Sequence, residues 1–386
     1  MTAVIEGRDE FLRTIAQLAA ERAEAKAIVA NLRETGLDVW DLDIPSEWRT
    51  AGFVEELTAV AWQILESDPR HSLASAQLAL AIATSIPTGT YPSPIQARIE
   101  GMAWKEIGTA HRYLGEFDAA LHAYDAAQRS LGSANALQHE SAVVELARAI
   151  VLNELDRRDE ALKLLAEIEP ILREFGDQRH VVHVRQMTAN IYYSQSRFAD
   201  AARELQNAIP EVPFDDFYTS AALHTSLGLT YGKLGRVEEG LTLIRKGRTM
   251  LSELGMTGEV ARADWDVGTT LLEHGDAAKA IDILSDARNT FLTLSMTDEA
   301  GLSGLDLADA LVTVGRFDEA RQVIEDVLRE FTAKNLNNRA IRALAYLREI
   351  LSSTTSQPRD AVDHVRKYLK RLHSRPSLLF LPLSEE

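Results

Sequence analysis

The residues whose type and spacing come nearest to chemistry are His180 and His183, three apart in a stretch of helical periodicity. At that spacing two imidazoles share one helix face and can offer two ligands to a metal, which needs at least one more. The alternative is a pair of surface or groove histidines. The paired acids Asp215-Asp216 and Glu238-Glu239 could work as acid and base, but both sit at helix starts, where the dipole favours negative charge. Gly232-Lys233-Leu234-Gly235 lacks the spacing and the Ser/Thr of a phosphate-binding loop, and no GxSxG elbow, HExxH helix or EF-hand loop occurs. With no cysteine, the chain has no disulfide, thiolate metal site, iron–sulfur cluster or cysteine nucleophile. No catalytic residue, metal or cofactor is expected.

The 386 residues carry 58 acidic and 41 basic side chains, a formal charge of -17. That balance argues against a nucleic-acid partner, which requires a dense basic face. The N-terminus has no basic segment followed by an apolar one, and no apolar stretch approaches the roughly 20 residues that span a bilayer. A soluble, cytoplasmic protein is expected. With 46% hydrophobic residues the chain is globular. Its length fits two or three conventional domains at roughly 150 residues each, or one long repeat array.

Periodicity decides between them. A helical stretch, a tight turn and a second helix opening with acidic and small residues recur six times, with turns at Gly115, Asp156, Ser196, Gly235, Gly275 and Gly315. The spacings are 41, 40, 39, 40 and 40 residues. Glycine at such a turn takes the left-handed conformation without a Cβ clash. Asp156 and Ser196 must take it under strain. Between residues 95 and 357 the only prolines are Pro170, Pro210 and Pro213, and the first two hold matching positions near the end of a second helix.

Trp104, Ile107 and Gly108 in a first helix, with Ala120, Tyr124 and Ala127 in the second, resemble the tetratricopeptide-repeat motif. Leu227, Gly228 and Tyr231, with Gly240 in place of alanine, and Val267 and Gly268 with Ala280, Leu284 and Ala287, are similar. The forty-residue period is similar to the lengthened variant in kinesin light chains, Pins-type adaptors and bacterial peptide-sensing regulators. The resemblance covers about residues 55–373. It implies an all-α, right-handed superhelical solenoid of antiparallel helix pairs, whose first helices line a concave groove that binds a peptide or protein segment. The Lys/Asn/Arg clamp that some members use on C-terminal carboxylates has no match here.

Four segments follow: a charged helix and cap (1–51), a degenerate first repeat with a proline-rich stretch (52–94), six regular repeats (95–335), and a helix pair with an apolar tail (336–386). The proline-rich stretch 86–94 reads as a long loop or a hinge. Phe11, Ile15, Leu18, Ala25, Val29 and Leu32 form a seam that either caps the array or joins a partner, a second copy included. The basic cluster Arg366, Lys367, Lys370, Arg371 and Arg375 reads as a solvated cap. The tail Leu378–Leu383 either folds back or docks into a partner; the alternative function is a regulatory subunit that holds an effector, a protease or transcription factor, through its terminal helix and tail, and either end could also form a homodimer.

Projected inward, the groove carries Lys105, Thr109, Arg112 and Tyr113, then Asn153, then His183, Gln186, Asn190 and Tyr193, then Lys233, then Arg262 and Trp265. Leu146, Ile150, Thr225, Leu229, Thr269, Leu305 and Asp309 project the same way. Gln186 and Asn190 can both donate to and accept from a peptide backbone. Tyr113, Tyr193 and Trp265 are rigid anchors, and Arg112 and Arg262 can meet carboxylates. With Lys105 and Lys233 added and little acid beyond Asp309, the expected ligand is an acidic or amphipathic peptide.

Overall fold

The computed structural model describes residues 2–34, 45–132, 136–333, 340, 343–345, 347–348, 351, 358–374, 380 and 383, and every regular element among them is helical. The N-terminal helix is α1 (Thr2–Glu34). The degenerate repeat follows as α2 (Ala51–Ile64) and α3 (Pro69–Ser85). Six helical hairpins come next: α4 (Ser93–Tyr113) with α5 (Phe117–Leu131), α6 (Gln138–Glu154) with α7 (Arg158–Glu174), and α8 (Gln178–Ser194) with α9 (Phe198–Ala208). Then follow α10 (Phe217–Lys233) with α11 (Val237–Glu253), α12 (Thr257–Glu273) with α13 (Ala277–Thr293), and α14 (Thr297–Thr313) with α15 (Phe317–Ala333). The last helix is α16 (Pro358–Ser374). Two compact units divide the chain, residues 1–184 and 185–386.

All six expected turns are left-handed: Asp156 and Ser196 have φ of 62° and 60°, and the four glycines lie between 74° and 88°. Each closes its helix in the same way. At the first, Gly115 N–H donates to the Arg112 carbonyl and Glu116 N–H to that of His111, at 3.0 and 2.9 Å, which satisfies two carbonyls the helix end leaves open. A second series of left-handed residues joins one repeat to the next, at Gly176 of the Phe175-Gly176-Asp177 linker, which resembles that of the lengthened variant, and at Gly255 and Ser295, which were not expected from sequence. The matched prolines behave differently. Pro170 lies inside α7, whereas Pro210 sits in a 3-10 turn (Ile209–Glu211) that ends α9 after 11 residues. Pro213 follows, and a second missing N–H discourages the helix from resuming.

Small residues set the hairpin spacing. Ala120, Ala161, Ala201, Ala280 and Ala320 are fully buried. A Cβ added to Gly240 would stand 2.5 Å from the Gly228 carbonyl oxygen, so the glycine that departs from the motif is required by backbone-to-backbone contact of α10 with α11.

The ends pack in cis. In the first unit Ala25 and Val29 of α1 are buried with Phe53 and Leu57 of α2 and Leu18 packs against them, so this part of the seam caps the array, whereas Ile15 is exposed; the side chains of Phe11 and Leu32 lie outside the described residues. The stretch 86–94 is a pinned loop: Tyr91 is buried, its hydroxyl donates to Glu21 at 2.8 Å and accepts from Ala51 N–H at 3.0 Å. In the second unit α16 buries Val362, Val365 and Leu369 with Leu305 and Ala308 of α14. Of the apolar tail, Phe380 folds back on Tyr368 and His364 of α16, with ring centroids 5.0 and 5.4 Å apart, and Leu383 is exposed; Leu378, Leu379 and Leu381 lie outside the described residues.

Candidate functional site

Within the second unit, the first helices α8, α10, α12 and α14 and the start of α16 surround a cavity of about 690 Å³. Tyr193, Lys233 and Trp265 line it, together with Leu229, Thr269 and Asp309 from the wider projection. The forty-residue period explains the convergence, because residues one repeat apart stand side by side on neighbouring first helices.

Trp265 is held on two sides. Its Nε1–H donates to Asp306 Oδ2 at 2.7 Å, and its ring meets Phe291 edge-on at 6.0 Å. Tyr193 packs edge-on against Phe198, with centroids 5.3 Å apart. Partial burial, with the nearby Glu273 and Asp266 carboxylates, pushes its hydroxyl up to about 12, so it stays a neutral donor. Lys233 Nζ reaches both oxygens of Glu273 at 2.5 and 2.6 Å.

The floor is ionic. Arg366 of α16 places its guanidinium 2.6 Å from Asp306 Oδ1 and 2.7 Å from Asp309 Oδ2, and Arg359 approaches Asp309 at 3.4 Å. Burial opposes the Arg366 charge, but Asp306, Asp309 and Asp363 outweigh it and hold the pKa above its ordinary value. Thus Arg366, expected at a solvated cap, is an inward residue with 17% of its side chain exposed. Lys367 does face outward and pairs with Asp363 at 2.6 Å.

Charge is where sequence reasoning fell short. The cavity is lined by six carboxylates and three cationic side chains, a surplus of three negative charges. Each of the four cations expected to make the groove basic is already paired: Lys105 with Glu106 at 2.8 Å, Arg112 with Glu154 at 3.3 Å, Lys233 with Glu273, and Arg262 with Glu259 and Glu299. Two of these acids, Glu154 and Glu273, lie about one repeat further along the chain, where an acid is visible in the sequence only when register is followed across repeats.

The other expected residues separate from this cavity. Thr109 is buried, donates to the Lys105 carbonyl at 2.9 Å and lies 3.4 Å from the Tyr124 hydroxyl, so it belongs to the hairpin core. Leu146 and Leu305 are core residues too. In the first unit Lys105 lies over the exposed Trp62 ring at 5.2 Å and Arg112 over that of Tyr113 at 4.4 Å. Asn153 Oδ1 is buried without a hydrogen-bond partner. His183 is surface-accessible yet closely surrounded by protein, and this desolvation, with His180 and Arg112 nearby, holds its pKa low. His180 turns instead to Asp177, at 2.6 Å. Gln186 is half-buried and Asn190 exposed; neither lines the cavity.

No family model matches the chain, nor does any curated protein. Solved structures do. A Rap protein complexed with competence and sporulation factor superposes with a TM-score of 0.56 at 14% identity, over 92% of this chain and 99% of that one. The fold is TPR-like. A signal-transduction ATPase with a tetratricopeptide-repeat sensor, from Pyrococcus horikoshii, gives a TM-score of 0.60 at 12% identity; 92% of this chain is covered, but only 53% of that protein's length. Aspartyl phosphate phosphatase F from Bacillus subtilis gives 0.53 at 12% identity, over 82% of this chain and 84% of that one. This TPR-like chain is an all-α repeat solenoid, and no helix among its described residues is long and apolar enough to cross a membrane.

Proposed function

We propose that this protein is a non-catalytic scaffold or sensor whose first-helix face binds a peptide or protein segment, and that the cavity at Trp265 is the anchoring subsite. The observation that carries this reading is the composition of that cavity. Two fixed aromatic side chains, Tyr193 and Trp265, stand beside carboxylates in surplus. Such a wall suits an extended chain that inserts an amphipathic cation, since a guanidinium or ammonium gains from both the carboxylates and the aromatic faces. The ligand is therefore a basic peptide segment, in place of the acidic one that Lys105, Arg112, Lys233 and Arg262 suggested when taken without their partners. The similarity to a Rap protein solved with competence and sporulation factor, and to an ATPase whose repeats are a sensor, supports a ligand-binding role for such a solenoid.

A peptide array varying in charge, read with the purified protein, tests this. Arginine- and lysine-containing segments should be retained, and retention should fall when Asp266→Asn and Glu273→Gln are combined. Selection of acidic segments, or binding indifferent both to that pair and to Tyr193→Ala with Asn190→Ala, would refute the assignment.

A further inference from the structure

In the first unit, among residues that do not line this cavity, His139 at the start of α6 and Asp177 and His180 at the start of α8 converge. His139 Nε2 lies 2.7 Å from Asp177 Oδ2, and His180 Nδ1 lies 2.6 Å from the same oxygen. One ligand atom from each of the three residues lies within 4.8 Å of the others, and no other group of three such side chains does so among the described residues. We propose that these three residues bind a divalent transition-metal ion of the zinc class, with solvent completing the coordination shell.

The two carboxylate oxygens divide their tasks. Oδ1 accepts the His180 backbone N–H at 3.2 Å and caps α8, which leaves Oδ2 as the oxygen both imidazoles face. An imidazole–imidazole–carboxylate set suits a borderline ion such as Zn²⁺, whose ligand bonds of about 2.0–2.1 Å put tetrahedral donors about 3.3 Å apart. To admit the ion each ring nitrogen withdraws from Oδ2 by about 0.6 Å, and the two nitrogens, within 4.8 Å of each other, settle at the same spacing. Side-chain exposures of 31%, 19% and 37% for His139, Asp177 and His180 leave one side open for water. Phe175 packs on the His139 ring at 5.5 Å, which limits its rotation.

The fold contains its own control. Asp68 and His71 repeat the cap, with His71 N–H donating to Asp68 Oδ1 at 3.1 Å and His71 Nδ1 2.5 Å from Oδ2. A cap alone therefore accounts for the Asp177–His180 pair but not for His139. His139 and His180 are 41 residues apart, one repeat, so the period itself brings the two imidazoles together, edge-on with centroids 6.3 Å apart, beside Asp177. An ion there would tie the start of α6 to the start of α8.

Tag-free, chelator-treated full-length protein titrated with Zn²⁺ and Co²⁺ decides the matter. Co²⁺ should develop low-symmetry ligand-field bands that saturate at a single site and are displaced by Zn²⁺. His139→Gln and Asp177→Asn should each weaken Zn²⁺ binding by at least about tenfold, and His71→Gln should leave it unchanged. Absence of the bands, or equal binding by wild type and His139→Gln, overturns the proposal. Should a variant fail to fold, wild-type histidine ring resonances read the site directly. Zn²⁺ should move those of His139 and His180 and spare His71; a uniform or reversed response overturns the site.

Discussion

Arg366→Met tests the floor of the cavity. Methionine keeps much of the aliphatic volume and removes the guanidinium that lies 2.6 Å from Asp306 and 2.7 Å from Asp309. Those carboxylates are 5% and 7% exposed, so the substitution strands two nearly buried charges. Breaking a buried ion pair from one side costs about 3–5 kcal/mol, mostly because the partner stays uncompensated. Here Trp265 still donates to Asp306, Arg359 still approaches Asp309 at 3.4 Å, and the cavity admits water. The loss should therefore lie near the low end, about 3 kcal/mol. With a urea dependence of about 3 kcal/mol per molar, the upper end for small proteins, the midpoint falls by about 1 M. Amide exchange should show the loss concentrated in α14 and α16. Adding Asp306→Asn and Asp309→Asn removes the stranded charges and should recover most of it. The single substitution also raises the cavity's negative surplus from three to four, so a basic peptide should bind more tightly and with a steeper salt dependence. A loss below about 1 kcal/mol, with no recovery in the triple variant, would refute the view that these ion pairs hold α16.

The repeat turns, hairpin contacts and a buried histidine give three further outcomes. Ser196→Gly and Ser295→Gly relieve left-handed strain at φ of 60° and 61° and should each raise stability by up to about 1 kcal/mol, whereas Gly235→Ala should lower it by a similar amount; thermal melts with no difference in sign would be contrary. Gly108→Ala places a Cβ 2.5 Å from the Tyr124 ring and should cost about 1–3 kcal/mol in urea unfolding, more than Gly235→Ala, which meets no atom within 4 Å. Burial lowers the pKa of His224, whose Nδ1–H donates to the Ser220 carbonyl at 2.7 Å. The unfolded chain then binds that proton first, near pH 6.5, so stability is complete above this value and falls as pH drops toward the folded-state pKa. His224→Gln should flatten this part of the pH–stability curve; an unaltered slope would show that another group carries it.

The helical hairpins, their turns and their period were legible because each rests on local rules. Gly115, Asp156, Ser196, Gly235, Gly275 and Gly315 mark a conformation that a single residue must adopt, and all six adopt it. Gly255 and Ser295 were missed although α12 and α14 also open with acids, Glu259 in one and Asp298 and Glu299 in the other: Ser295 carries no glycine signal, and Gly255 lies outside the hairpin turns. The aromatic anchors Tyr193 and Trp265 were also legible, since helical projection suffices to place a large side chain on a face. Thr109 was misplaced by the same projection: a small side chain at the edge of that face closes on its own helix backbone and Tyr124.

Charge follows a different rule. Between first helices Arg98 pairs with Glu140, Arg112 with Glu154 and Lys233 with Glu273, at separations of 42, 42 and 40 residues. Each cation thus meets an acid almost one period along, so a repeat neutralises its neighbour and a count taken on one helix has little bearing on the field at the first-helix face. That field is set where the ladder ends. Past α14 the charges come from α16, 57 residues on from Asp309, whose Arg366 serves Asp306 and Asp309 together while Asp360 and Asp363 arrive on the same helix. The surplus of carboxylates therefore collects beside Trp265 at the end of the repeat register. A change in the sequence of α16 alone could alter the charge of the first-helix face without disturbing any hairpin of the array.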